Sequence, residues 1–388
     1  MDNLPLIKYP SNWGFQRTPA RPKDLWVFDF EKNYDWDNLW YDVIQINQQN
    51  IILIGPPLYG TKDYISSTCQ FVDQNQNKIP YTVYEMDRVC LTVLNVSQFL
   101  DHVFLIDSQT SYKLPVSIPS SIFANKKTIV TISKDHPVEW LEQWIDYHVC
   151  VHNVEGFLIY NNQSTAYTSD ELQTRLARPD TTVKIVNYNV PFGCMGGGDW
   201  SWGGKSGNYL PWDSDFAQYI MLEHAKWKYL SVATLAINAD TDELLTTHNT
   251  SLDHIAKYCQ ENTNSVWLYK GVWIEPIDSV TQKEACNVEY ADRRFYNYWQ
   301  TTHSNQRGIG IKWMLNPQKN LSYQWMLHRT SGPHMETTEI SFGHYLAMNT
   351  SWSWPRDKFT GDITQLATHY AIKYNIDTWL QKSKRYTR

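Results

Sequence analysis

Asp240, Asp242 and Glu243 place three carboxylates within four residues, directly after the apolar run Leu230 to Ile237. Carboxylates this close repel one another unless a cation or solvent lies between them. Hard divalent ions take oxygen ligands, commonly one or two carboxylates together with substrate phosphates. An isolated D-x-D is as readily a solvated acidic turn. Its place after a buried strand is what favours a metal reading here. Glu275, in Val272-Trp273-Ile274-Glu275-Pro276, is the candidate catalytic base, a carboxylate beside aromatics whose burial raises its pKa. Glu336 and Glu339 compete for that role. The chain has 12 histidines, so position alone selects none as a ligand.

The elements that must position these groups fall into two regions. Residues 24–118 carry short apolar or alternating runs, among them Leu25–Phe30, Trp40–Ile46, Ile51–Ile54 and Val89–Val93, separated by turns such as Gly55-Pro56-Pro57. That rhythm predicts a small all-β sandwich or barrel. Pro119–Lys127 reads as the linker, giving a β-rich N-terminal domain over 1–119 and a second domain over 120–388. From Lys127 the pattern becomes strand–helix–strand. Strands are expected at Thr128–Ile132, Gly156–Tyr160, Val183–Val186 and Leu230–Ile237, with helices from Val138 and over Asp215–Trp227. Alternating units of this kind predict an α/β fold with a mostly parallel sheet and helices on both faces. Ligands of such sheets bind beyond the carboxyl ends of the strands. The polar clusters Lys134-Asp135-His136, Asn161-Asn162-Gln163-Ser164 and Asn238 to Glu243 all sit there.

The bulk properties narrow the classes. A length of 388 residues favours two cores over one. Hydrophobic residues at 42% and charged residues at 19% describe a packed globular protein. A net charge of −6 argues against a nucleic-acid partner, which requires a basic footprint. The 14% aromatic content suits sugar-binding surfaces, although most such residues serve ordinary cores. Met1 to Trp13 lacks a signal-peptide run, and nothing approaches the ~20 apolar residues that span a bilayer. The six cysteines form no C-x-x-C pair and are expected to be reduced, in a cytoplasmic protein. The glycine-rich stretch Gly193 to Ser206 ends in Gly-Lys-Ser, but a P-loop places glycine where Asp199 stands. It reads as a loop, and an ATPase is not expected.

Lys134 to His148, with Leu141-Glu142-Gln143-Trp144-Ile145-Asp146-Tyr147-His148, resembles the opening "K-N-E … L-x-E-W-I-x-Y-H" of glycosyltransferase family 92 and its bacterial and viral relatives. Gly156–Ser164 is similar to that family's "F-x-I-Y-D-N-x-S-x-D", and Ala236–Leu244 to its "F-x-D-x-D-E-F". Asp292–Phe295, Lys312–Pro317 and His328 resemble "E-R-F … K-x-I-V-R-P … H", and Gly343-His344-Tyr345 its closing "H-Y". The resemblance implies a GT-A-type domain and an inverting, metal-assisted transfer of a sugar from a nucleotide diphosphate donor, UDP-galactose or another UDP-hexose, to a glycan hydroxyl. It assigns Mn²⁺ or Mg²⁺ to Asp240, Asp242 and His344, and donor contacts to Lys134, Asn161, Asn162 and Asp240. Three departures bear on the donor: Asp135-His136 stands for Asn-Glu, Asn161 for Asp, and Asn316 for Arg. A non-catalytic carbohydrate-binding protein is the alternative, favoured by the aromatic content and the β-rich N-terminus. It offers no reason for a D-x-D at a strand end. A methyltransferase would need a glycine-rich turn where Lys134-Asp135-His136-Pro137 stands.

Overall fold

The computed structural model describes residues 2–26, 29–109, 111–194, 216–263, 265–277, 298–301, 310–348 and 363–383. Its centre is a mixed nine-stranded sheet, whose strands are numbered here along the chain. They are β1 (Asp2–Asn3), β2 (Lys127–Ser133), β3 (Gly156–Asn161), β4 (Thr182–Asn187), β5 (Leu235–Asn238), β6 (Glu243–Thr247), β7 (Val266–Ile274), β8 (Ile311–Leu315) and β9 (Met335–Tyr345). The order across the sheet is β1-β4-β3-β2-β5-β8-β7-β9-β6. Strands β1 to β5 pair in parallel, as do β7 and β9, while β8 and β6 run against their neighbours. The carboxyl ends of the parallel strands and the starts of β6 and β8 therefore share one edge.

Unbroken β-branched runs are what a sheet covered on both faces requires. Ile129, Phe157, Ile159, Leu235 and Ile237 pack against helices α1 (Val138–His152), α2 (Ser169–Leu176), α4 (Leu252–Glu261) and α5 (Tyr370–Lys382). Val130, Leu158, Tyr160, Val186 and Ala236 face α3 (Phe216–Ala225) on the other side. The helix expected over Asp215–Trp227 ends at Ala225 and passes into a π-helical turn, Lys226–Leu230, so β5 starts only at Leu235. The chain has no described helix long and apolar enough to cross a membrane, and the described cysteines form no disulfide.

Two antiparallel four-stranded sheets stand ahead of this unit. One holds Asp42–Asn47, Asn50–Gly55, Cys90–Asn95 and Tyr81–Glu85; the other Ser111–Pro115, His102–Ile106, Gln70–Val72 and Lys78–Ile79. They enclose a core of their own through Val43, Ile51, Leu53, Phe71, Val103, Leu105 and Leu114. The described residues of the run Leu25–Phe30 form no strand: Lys23–Leu25 is a 3-10 turn and Phe30–Asn33 a short helix, with Trp26 stacked on Phe30 at 4.4 Å. The first sheet is apolar on its other face too. Ile44, Ile52, Ile54 and Leu91 belong to the same buried cluster as Val130, Leu158 and the α3 side chains. In addition, β1 from the extreme N-terminus extends the main sheet beside β4.

Candidate functional site

Asp240-Thr241-Asp242 forms the link between β5 and β6. Its turn is closed reciprocally: the Asp240 amide donates to Glu243 Oε2 at 2.8 Å, and the Glu243 amide to the Asp240 carbonyl at 3.1 Å. Strand β6 lies at the sheet edge, where unpaired backbone groups need other partners. Helix α1 supplies them. Trp144 Nε1 donates to the Glu243 carbonyl at 2.9 Å, and Tyr147 Oη to the Leu245 carbonyl at 2.6 Å. His148 Nε2 accepts from the Leu245 amide at 3.3 Å, and His152 Nε2 donates to the Leu245 carbonyl at 2.7 Å. Burial lowers His148 to about 3 and His152 to about 4, so both rings are neutral and fit these roles. The helical spacing of Trp144, Tyr147 and His148 is thus a device for holding the acidic turn. The sequence showed the spacing but not the strand it grips.

Within the turn, ligand atoms of Asp240, Asp242 and Glu243 all lie within 4.8 Å of one another. Lys312, from the start of β8, is 1% exposed and reaches Asp240 Oδ2 at 2.6 Å and Glu243 Oε2 at 3.4 Å. Burial alone lowers an ammonium pKa, but the Asp240 and Glu243 carboxylates reverse this and hold Lys312 charged. His344 is the register partner of Glu243 across β6 and β9. Its Nε2 lies 3.0 Å from Asp242 Oδ2 and its Nδ1 3.6 Å from Glu243 Oε1, with the Trp273 ring 4.4 Å from its own. His136 joins from the end of β2, with Nε2 at 3.2 Å from Thr241 Oγ1 and Nδ1 at 2.9 Å from Ser133 Oγ. Enclosure lowers the His136 pKa, against the opposing pull of Asp242 and Asp240.

The residues fit a hard divalent ion, with a division of labour. Both Glu243 oxygens face internal partners: the Asp240 amide and Lys312 at Oε2, His344 at Oε1. Asp240 and Asp242 keep side chains 33% and 13% exposed. These two are the carboxylates that would hold the ion, with the His344 imidazole alongside, while Glu243 fixes the turn. Burial pushes the Glu243 carboxyl from 4.5 up to about 7, with Lys312 acting against it and Asp240 with it. A folded-state pKa above the unfolded one means that the fold holds a proton that the unfolded chain has lost. This group's contribution to stability accordingly falls as pH rises from about 4.5 through 7. In metal-free buffer, the unfolding free energy of the wild type minus that of Glu243→Gln should decline across that window and level off above it. A difference independent of pH would show that Glu243 ionises normally in the fold.

The other expected contacts divide. Lys134 is exposed just beyond the end of β2. The adjacent Asp135, at φ 52°, receives the amides of Thr165 (2.6 Å) and Ala166 (2.9 Å), so it builds the loop after β3. Asn161 Nδ2 donates to Ser169 Oγ at 2.9 Å, and Asn162 Nδ2 to the carbonyls of Tyr188 and Val190 at 3.0 and 2.8 Å. Those amide groups are spent on packing β3 against α2 and the chain after β4; only the Oδ1 atoms have no protein partner. Glu275 is 3% exposed, one residue beyond the Ile274–Tyr345 register pair and hence on the same edge as His344. Glu336 instead pairs with Lys270 at 3.3 Å, exposed at the far end of β9. Most of the glycine-rich stretch (195–206) and Asp292–Phe295 lie outside the described residues. Sequence reasoning missed His136 and Lys312 as partners of the turn. Both stood in quoted motifs, but nothing local marks either as facing Asp240 or Thr241. In comparisons with known proteins, no family model and no curated sequence matches this chain.

Proposed function

We propose that the chain is a metal-dependent, nucleotide-sugar-dependent glycosyltransferase with a GT-A-type catalytic unit. The observation that carries this reading is the pair of partly exposed carboxylates, Asp240 and Asp242, at the carboxyl edge of the sheet, backed by buried Lys312 and flanked by His344. The parallel β2–β5 block leading up to that turn accords with a GT-A-type sheet. Lewis-acid stabilisation of the departing diphosphate is the chemistry a divalent ion held there would supply. Lys134, exposed on the same edge, is the proposed contact for the donor's phosphate charge. Glu275, enclosed beside that edge, is the proposed base for the acceptor hydroxyl. The full-length protein should hydrolyse one of a panel of UDP- and GDP-sugars slowly with Mn²⁺ or Mg²⁺ and not in EDTA, without added acceptor. Unchanged turnover in EDTA would remove the metal from the proposal, and binding of free glycans with no turnover of any donor would favour a carbohydrate-binding protein.

A further inference from the structure

The acidic turn already contains a cation of its own. Lys312 is almost wholly enclosed and contacts two of the three carboxylates, at 2.6 Å and 3.4 Å. It is fixed there because β8 runs antiparallel between β5 and β7, which brings the start of β8 to the edge where β5 ends. An unpaired buried carboxylate is strongly destabilising, so the metal-free turn depends on this ammonium. The same charge opposes any divalent ion that enters between Asp240 and Asp242.

We infer that Lys312 is a resident counter-cation that stabilises the empty acidic turn and holds its affinity for divalent metal down. The inference rests on the metal reading proposed above. Lys312 acts through Asp240 and is a positioning residue. It donates to Asp240 Oδ2 and so fixes that carboxylate in place. Even with the full screening of water, an ammonium and a divalent ion ~5 Å apart repel enough to change a binding constant about tenfold. In this enclosed position the screening is weaker.

The test is Tb³⁺ titration of full-length, EDTA-stripped protein, read by luminescence sensitised through Trp273, with Mn²⁺ as competitor. Lys312→Gln should bind about tenfold or more tightly than the wild type, and Lys312→Arg, which keeps the charge, should bind like the wild type. Melting gives a second readout. Lys312→Gln should melt below the wild type in EDTA, and Mn²⁺ should raise its melting temperature by more than it raises that of the wild type, through mass action. If Lys312→Gln does not fold, Glu243→Gln with Lys312→Met is compared with Glu243→Gln alone, and the same gain in affinity is expected. Equal or weaker binding by the lysine-free variant overturns the inference while leaving a metal site intact. No binding by wild type and variants alike up to millimolar metal overturns the metal reading itself.

Discussion

Asp242→Asn should abolish nucleotide-sugar turnover while leaving the fold standing. Stabilisation of the departing diphosphate by a metal contributes several kcal/mol, and at about 1.4 kcal/mol per tenfold the loss is on the order of 10³ or more. Asparagine keeps the shape and one acceptor oxygen, so the contact with His344 Nε2, 3.0 Å from Asp242 Oδ2, survives in weaker form. Unfolding free energy should therefore move by no more than about 1–2 kcal/mol. Asp240→Asn should lose activity equally but cost more stability, because it removes one of the two carboxylates that pair with buried Lys312. The measurement is donor hydrolysis at saturating Mn²⁺ alongside urea denaturation of both variants. Retention of even a tenth of the activity by Asp242→Asn would show that the turn is not the metal-bearing centre. A collapse of stability matching the loss of activity would make it an internal strut.

A chain comprising residues 120–388 alone should not fold. Although the linker at Pro119–Lys127 suggests separable domains, Ile44, Ile52, Ile54 and Leu91 are buried in one cluster with Val130, Leu158, Tyr160, Val186 and α3. Burying each such side chain contributes roughly 1.5–3 kcal/mol, so these four account for much of the roughly 5–15 kcal/mol that stabilises a domain. Polar ties cross the same boundary. His224 bridges Tyr160 Oη at 2.7 Å and Asp42 Oδ2 at 3.0 Å, and Gln324 exchanges hydrogen bonds with the Asp87 backbone at 3.1 and 2.7 Å. Deleting 1–119 would expose the apolar face and strand His224 with half of its partners. The truncated protein should be insoluble, or lack a cooperative thermal transition, while the full chain unfolds in one. A soluble 120–388 fragment with a sharp transition would show that the shared core is dispensable.

The runs Thr128–Ile132, Gly156–Tyr160 and Val183–Val186 became parallel strands because their apolar, β-branched composition suits burial on both faces, a property of a few adjacent residues. The helical spacing of Val138, Leu141, Trp144, Ile145 and His148 was legible for the same reason, as was the position of Asp240 and Asp242 beyond a buried strand. The shared core had a trace as well. Ile51-Ile52-Leu53-Ile54 is apolar without alternation, which a sheet wet on one side does not need, and the structure buries both of its faces. What the sequence could not determine is which distant side chain compensates which charge. Lys312 meets Asp240, His344 meets Asp242 and His136 meets Thr241 only because strand order and register bring β8, β9 and β2 to one edge. Asn161 and Asn162 look like ligand-facing residues in a strand-end cluster, yet their amide nitrogens turn inward to Ser169, Tyr188 and Val190. Periodicity is set by neighbours along the chain and survives in a one-dimensional record. Coulombic pairing falls off over a few ångströms in space, so its partners exist only once the sheet has closed.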